Sequence, residues 1–300
     1  MLEDISSEKR LKSTMSRYMD ANLAEQIMSE GEEMLGGRSV EATVLFSDVR
    51  SFTTITEKLG AQGTVKLLND YYTNMVECIR KEVGMLDKFI VDANMAGFGI
   101  PVGHNDDEDR AVRCAITMLR ELNIWNRQRE SRGEPPVDIG IGLATGDVVA
   151  GNIGSPKRMD YTMIGDAVNL GARIESACKA YSAKLLISEG TYQKLKGTYR
   201  IREVDLVVVK GKTKPVAIYE ILDFYDEQDF PNVMDVVNHF NSAVRHYRKQ
   251  DWERAIEGFN RALSFHSEDN LCKTYLERCR ILQEQNPGSD WNGVWVMKSK

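Results

Sequence analysis

The chain has 300 residues, enough for about two domains of ordinary size and for a core that needs no cross-links. Hydrophobic residues make up 42% and charged residues 28%, and 39 Lys and Arg against 45 Asp and Glu leave a formal charge of -6. This mild acidity argues against a nucleic-acid coat or a basic membrane-surface protein, and the longest charge-free stretch, Ala93 to Asn105, is too short and too polar to span a bilayer.

The first segment, residues 1–38, opens with the charged run Met1 to Lys12, which has no apolar signal-peptide core. Leu11, Met15, Tyr18, Met19, Leu23, Ile27 and Met28 then recur at helical steps. Nothing here builds a core alone. The segment reads as a connecting helix that packs on a partner, and a fragment of a longer chain is the expectation. The five cysteines, Cys78, Cys114, Cys178, Cys272 and Cys279, are odd in number and not at metal-knuckle spacing. They are expected to be reduced and buried, as in a cytoplasmic protein.

Residues 39–224 alternate strands and helices. Glu41 to Ser47 predicts a strand, with Ala42, Val44 and Phe46 on one face. Ala61 to Val83 predicts a helix, Met85 to Val91 and Ala93 to Phe98 two strands, and Asp106 to Gln128 a second helix with an acidic start. Val137 to Thr145 is a glycine-spaced strand. The resulting order, strand-helix-strand-strand-helix-strand, is the ferredoxin-like split βαββαβ pattern of an α+β domain. Further strands are expected at Leu185 to Ser188, Leu206 to Val209 and Val216 to Leu222.

Residues 225–300 are patterned as helices. Ala243, Tyr247, Trp252, Ala255, Ile256, Phe259, Ala262 and Leu263 fit one tetratricopeptide-like unit, with Leu271 to Gln285 as a capping helix. Stacked repeats need about three units to stand alone. The tail is therefore expected to lean on the middle domain or on another chain.

Asp48 follows the first strand and Asp92 sits in the turn between the second and third strands. The first and third strands of this fold are neighbours, so the two carboxylates are expected to approach each other. Such a pair suits a hard cation such as Mg²⁺ and leaves positions for phosphate oxygens; alternatively, each Asp merely starts a turn. Asn169 and Arg173 are four apart and share a helix face. They can orient a hydroxyl and stabilise phosphoryl charge, or they form a solvated face with an Arg173–Glu175 pair. Lys210, beside Gly211 at a strand end, can reach a polyphosphate. Lys88, four residues before Asp92 on what reads as one strand, is expected to share its face. It can hydrogen-bond there or snorkel.

These residues fall in five stretches: Phe46-Ser-Asp-Val-Arg-Ser-Phe-Thr53, Lys88-Phe-Ile-Val-Asp92, Gly146-Asp-Val-Val-Ala-Gly-Asn-Ile-Gly154, Tyr161-Thr-Met-Ile-Gly-Asp-Ala-Val-Asn169 through Arg173, and Val209-Lys-Gly-Lys-Thr-Lys-Pro-Val216. Their order and spacing over about 180 residues resemble the class III nucleotide cyclases, in particular the bacterial and cyanobacterial-type adenylate cyclases. The helical tail, with Asp290-Trp-Asn-Gly-Val-Trp-Val296, looks like the C-terminal extension of some of them.

The resemblance implies conversion of ATP to 3′,5′-cyclic AMP and pyrophosphate. It implies two divalent metal ions, Mg²⁺ or Mn²⁺, on Asp48, Val49 and Asp92, and a phosphate cradle from the backbone of Val49 to Thr53, Phe52 and Thr53 included. Lys88 and Thr162 would read adenine, Asn169 would orient the ribose, Arg173 would stabilise the transition state, and Lys210 would hold the terminal phosphates. A head-to-tail homodimer would share its sites, with the aspartates from one subunit and the remaining side chains from the other. The first helix resembles the linker that couples an upstream sensor domain to such cyclases.

Three residues depart from the family pattern. Val91 stands where glycine is expected, Asn94 where an apolar strand residue is usual, and Gly97 where a larger one is usual. Val91 would be strained at positive φ, and an unpartnered buried Asn costs about 1–3 kcal/mol. The alternatives are a catalytically impaired nucleotide-binding regulator and, against Lys88 and Thr162, a guanylate cyclase.

Overall fold

The computed structural model of the protein describes residues 37–155, 158–207 and 215–294. The helix expected over residues 5–36, Lys210 and the last residues of the Asp290 motif lie outside the described residues.

The elements follow the split pattern. Strand β1 (Gly37–Val49) leads to helix α1 (Phe52–Lys81), strands β2 (Met85–Ile90) and β3 (Ala93–Phe98), helix α2 (Asp107–Ser131) and strand β4 (Ile139–Ser155). Strand β5 (Arg158–Ile164), helix α3 (Asp166–Tyr181), strand β6 (Leu185–Ser188), the short helix α4 (Glu189–Tyr192) and strands β7 (Ile201–Val207) and β8 (Val216–Ile221) follow. The strands form one sheet in the order β2-β3-β1-β4-β6-β8-β7, with β5 paired to β4 off that path. Among the described residues only β4 and β6 pair in parallel; the other pairings are antiparallel.

Alternation along β1 sorts the two faces. Leu45 and Val49 point to α1 and α2, into a core with Tyr71, Met75, Ile139, Ile141 and Leu143. Val44 points the other way, with Met95, Val148, Met163 and Ala167. Helix α1 begins nine residues before the predicted Ala61 and is kinked at Gly60, whose φ of 65° only glycine adopts readily. Its buried stripe, Leu67, Tyr71, Met75 and Cys78, has the helical period. Strand β4 runs ten residues past the predicted end and folds back as β5, a ribbon that the Gly- and Asp-rich sequence hides. Gly142 explains the glycine spacing of β4: a Cβ there would sit 2.2 Å from the Glu175 backbone nitrogen, so its absence lets α3 lie against the strand.

The tail comprises α5 (Val233–Arg248), α6 (Trp252–Phe265) and α7 (Asn270–Glu284), the last within one residue of the helix predicted over Leu271 to Gln285. Asp251 caps α6, and Asp269 caps α7 by accepting from Leu271 N–H at 3.0 Å. The tail leans on the sheet domain. Phe240, Phe259 and Tyr275 share one core with Ile174 and Tyr181 of α3 and with Leu186 and Ile218. Buried charges lock the contact. Arg202 of β7 pairs with Glu220 at 2.7 Å and with Asp269. Asp205 of β7 accepts from Arg278 at 2.6 Å and from the Tyr181 hydroxyl at 2.7 Å. All five cysteines are free and buried, as expected. Among the described residues no helix is long and apolar enough to cross a membrane.

Candidate active site

The two aspartates meet as predicted. Asp48 is paired with Ala93 across β1 and β3, and the Val49 N–H donates to the Asp92 carbonyl at 3.4 Å. Partial burial raises the Asp48 carboxyl above its ordinary value, the negative charge of Asp92 raises it further, and Arg50 opposes both. Burial likewise raises Asp92, against a backbone hydrogen bond that lowers it. Two half-buried carboxylates that resist ionising together are the donor set a divalent cation would relieve. The chemistry of this pair, with backbone oxygen at Val49, fits the expected metal ions.

The turn between β2 and β3 carries the three departures, and each has a structural account. Val91 does adopt the left-handed conformation, with φ of 59°, at a cost of order 1–2 kcal/mol for a side chain with a Cβ. The Tyr72 hydroxyl donates to its carbonyl at 2.5 Å. Asn94 is fully buried; its Nδ2 donates to Ser47 Oγ at 3.3 Å, which leaves Oδ1 without a partner. Gly97 makes room for another strand: a Cβ there would lie 2.7 Å from Met163 Cε. Met163 of β5 thus fills the space a larger residue on β3 would take.

Lys88 requires a correction. It does not share a strand face with Asp92, because β2 ends at Ile90 and Val91 turns the chain through a left-handed conformation before Asp92; the register also slips between Leu86 and Lys88. Asp87 is the extra residue of that bulge, and the bulge re-aims the side chains around it. The Asp87 carboxylate is fully buried. It accepts from the Thr162 hydroxyl at 2.6 Å and from the Met163 N–H at 3.3 Å, and its other oxygen lies 3.1 Å from Lys88 Nζ. Lys88 and Thr162, 74 positions apart in sequence, are therefore gathered by Asp87. Sequence reasoning missed Asp87; its one signal was a charge placed where the alternation of the strand calls for an apolar side chain.

Ser51, at φ 56°, ends the β1 loop, and α1 starts at Phe52 without a side-chain cap or an acidic first turn. The N–H groups around Phe52 and Thr53 are thus uncommitted to a capping side chain, a standard anion-binding arrangement. On α3, Asn169 and Arg173 share an exposed face, opposite the buried Ala167, Gly171 and Ile174. The surface-pair alternative for Arg173 places Glu175 wrongly. Glu175 turns inward and pairs with Arg50 at 2.9 Å, so it ties α3 to the loop after Asp48. Burial pushes the Glu175 carboxyl up to about 7, with Arg50 opposing.

Large apolar side chains are exposed beside these groups. Phe89, Ile90 and Val91 run consecutively along the β2–β3 hairpin, and Val149, Met159 and Ile164 lie on the β4–β5 ribbon. Val149 and Ile164 are cross-strand partners. Exposed apolar groups next to a polar cleft mark an interaction surface.

Residues 37–223 match the family model of the adenylate and guanylate cyclase catalytic domain. The chain belongs to this cyclase family. It is 36% identical to the crystal structure of the adenylyl cyclase CyaB from P. aeruginosa, with a TM-score of 0.59 over 65% of this chain and 99% of that one. It is 37% identical to the guanylyl cyclase Cya2, with a TM-score of 0.57 over 62% of this chain and 94% of that one. Among curated proteins it is 32% identical to the terminal-differentiation specific adenylate cyclase of Dictyostelium discoideum over 90% of this chain. The chain spans 13% of that relative's length. An adenylyl and a guanylyl cyclase at nearly equal identity mean that overall likeness leaves the purine to the residues of the site.

Proposed function

We propose that the chain is an adenylate cyclase, which converts ATP to 3′,5′-cyclic AMP and pyrophosphate in the cytoplasm, at sites shared between two copies. The observation that carries this reading is the Lys88–Asp87–Thr162 cluster. The Lys88 ammonium donates, which suits N1 of adenine, an acceptor. The Thr162 oxygen accepts, which suits the 6-amino group. Guanine offers the opposite pattern at both positions, so the pair favours ATP over GTP.

The other groups have matching tasks. Asp48, Asp92 and the Val49 carbonyl would hold two divalent cations, which supply Lewis acidity toward the 3′-hydroxyl and the phosphates. The uncapped start of α1 at Phe52 and Thr53 would take the β- and γ-phosphates on backbone N–H groups. Asn169 would fix the ribose so that its 3′-oxygen lies in line with the α-phosphorus. Arg173 would stabilise charge developing on that phosphoryl group, and Lys210 would hold the departing pyrophosphate.

The exposed apolar residues of the β2–β3 hairpin and the β4–β5 ribbon support a homodimer in which each copy completes the other's site. An N-terminal coiled coil joined to a sensor would set the angle between copies. The tail would be one tetratricopeptide-like unit with a cap. Residues 39–224 would be the catalytic unit, residues 225–300 its helical extension and residues 1–38 the linker.

The test is cyclic-nucleotide formation from ATP and from GTP at several enzyme concentrations, with Mg²⁺ and with Mn²⁺. The reading expects cyclic AMP from ATP and a rate that rises more steeply than enzyme concentration in the dilute range. Nucleotide binding without product under both metals would overturn it in favour of a silent regulator, the reading for which the strained Val91 turn speaks.

A further inference from the structure

Thr162 poses a problem for base recognition. A hydroxyl is both donor and acceptor, and its proton rotates to suit its surroundings. A free threonine would accept from the 6-amino group of adenine or donate to the 6-oxo group of guanine with equal ease. In this protein the rotation is stopped. The Thr162 proton is committed to Asp87 Oδ2 at 2.6 Å, and only lone pairs remain for a ligand.

Asp87 is fixed through one oxygen by hydrogen bonds and through the other by the charge of Lys88 alone. Its carboxylate is fully buried, its Oδ2 also takes the Met163 N–H, and its Oδ1 faces Lys88 Nζ at 3.1 Å. The bulge between Leu86 and Lys88 brings the carboxylate of Asp87 and the ammonium of its neighbour together. Gly97, by leaving room for Met163, lets β5 cross close enough to β2 for the Thr162 contact to form.

We propose that Asp87 is a purine-specificity positioning residue, which makes Thr162 an obligate acceptor and anchors Lys88 as a donor, so that the cleft admits a 6-aminopurine and rejects a 6-oxopurine nucleotide. The inference rests on the reading of Lys88 and Thr162 as the base-contacting pair. Asp87 itself does not touch the nucleotide; it acts through the other two side chains.

The experiment uses the full chain and measures the ratio of ATP to GTP preference in two ways. One is kcat/KM for each nucleotide, and the other is the relative binding of ATP and GTP by displacement of a fluorescent ATP analogue. Asp87→Ala releases the Thr162 proton and is expected to lower the ATP:GTP ratio by about tenfold or more. Asp87→Asn keeps a carbonyl acceptor for Thr162 but removes the charge beside Lys88, so its ratio is expected between Ala and wild type. This isosteric variant also decides the matter if the alanine variant does not fold. A merely structural role would reduce both nucleotides equally; an unchanged ratio in the folded variants overturns the proposal. Lys88→Ala and Thr162→Val separate the two layers. If they leave the ratio unchanged, the base-reading pair itself is wrong. If they lower it and the Asp87 variants do not, the pair stands and the role of Asp87 falls.

Discussion

The Tyr72 hydroxyl of α1 donates to the carbonyl of Val91 at 2.5 Å, and so braces a β-branched residue held at φ 59° in the turn that carries Asp92. Burial, with the nearby charges of Asp92 and Asp48, pushes the Tyr72 phenol up to about 12, so it stays a donor through the neutral range. Val91→Gly removes a left-handed cost of about 1–2 kcal/mol and adds back roughly 0.5–1 kcal/mol of unfolded-chain entropy. The expected result is a melting temperature equal to or a few degrees above wild type, with cyclase activity kept or raised. Tyr72→Phe removes the brace and is expected to lower activity severalfold; in the Val91→Gly background, where the turn is unstrained, the loss shrinks. Thermal melts and initial rates on the two single variants and the double variant check the coupling.

The Asp48–Asp92 pair predicts opposite effects on stability and activity. Both carboxyls are raised, first by burial and, for Asp48, next by the charge of its neighbour. A carboxyl whose folded pKa lies above its unfolded value destabilises the fold as pH rises through that folded pKa, because the folded state resists giving up the proton. Asp48→Asn removes one charge of the repelling pair. In chelator it is expected to melt above wild type at neutral pH, with a difference that shrinks below about pH 4, where both carboxyls are protonated. Adding Mg²⁺ is expected to raise the melting temperature of wild type more than that of the variant. Activity is expected to fall by at least about 100-fold.

Gly97 marks where sequence and structure part. The split sheet was legible because β1 alternates, the apolar ends of β2 and β3 bracket a turn, and α2 carries the helical period. The neighbouring ends of β1 and β3 then placed Asp48 beside Asp92 by topology alone. The β4–β5 ribbon was not legible, since Gly146 to Ser155 has too many glycines and polar residues to read as strand. Without β5, nothing in the sequence says that Met163 fills the space over Gly97, or that Thr162 reaches Asp87. A bulge is equally silent: it is defined by the partner strand, and Leu86-Asp87-Lys88 alone does not show which residue is extra. Gly97→Val forces the Met163 side chain away and overpacks this layer, at an expected cost of about 1–3 kcal/mol. Its more telling effect is a lowered ATP:GTP ratio, because moving β5 pulls Thr162 off Asp87. Denaturant unfolding and the two-nucleotide rate ratio test the two parts separately.

Asp109, in the first turn of α2, gives a stability prediction outside the site. Burial alone would raise its carboxyl. The Lys196 and Gly197 N–H groups and the Tyr199 hydroxyl, donating at 3.0, 2.8 and 2.9 Å, outweigh that effect and hold it below its ordinary value. Its contribution is therefore present above the unfolded carboxylate pKa, near 4, and is lost as pH falls through the lower folded value. Asp109→Asn sets an amide N–H against one of the backbone donors. It is expected to cost about 1.5–3 kcal/mol at neutral pH and progressively less toward pH 3. Urea unfolding of both proteins across that range measures the difference.

The buried charges between β7 and the tail decide how firmly the helical extension is held. Arg202 is almost fully buried and serves two carboxylates at once, Glu220 within the sheet and Asp269 at the cap of α7. The attraction of both carboxylates offsets the burial that would otherwise lower the guanidinium pKa, and raises it instead. Arg202→Leu leaves Glu220 and Asp269 facing each other without a cation, which is expected to cost about 3–5 kcal/mol. Adding Glu220→Leu and Asp269→Asn removes the stranded charges while keeping a cap for α7, and is expected to restore most of that loss. If the single variant unfolds only the tail, proteolysis will cut within residues 225–300 and leave the sheet domain intact. If it lowers the stability of the whole, one cooperative transition will move. The second outcome is expected, because Tyr181 and Ile174 of the helix that carries Asn169 and Arg173 share their core with Phe240, Phe259 and Tyr275. A cyclase assay on the same variants then reads how far the packing of the tail supports the face of α3 on which catalysis is proposed to depend. A loss of activity in the single variant that the triple variant recovers would assign that support to packing rather than to the ion pairs.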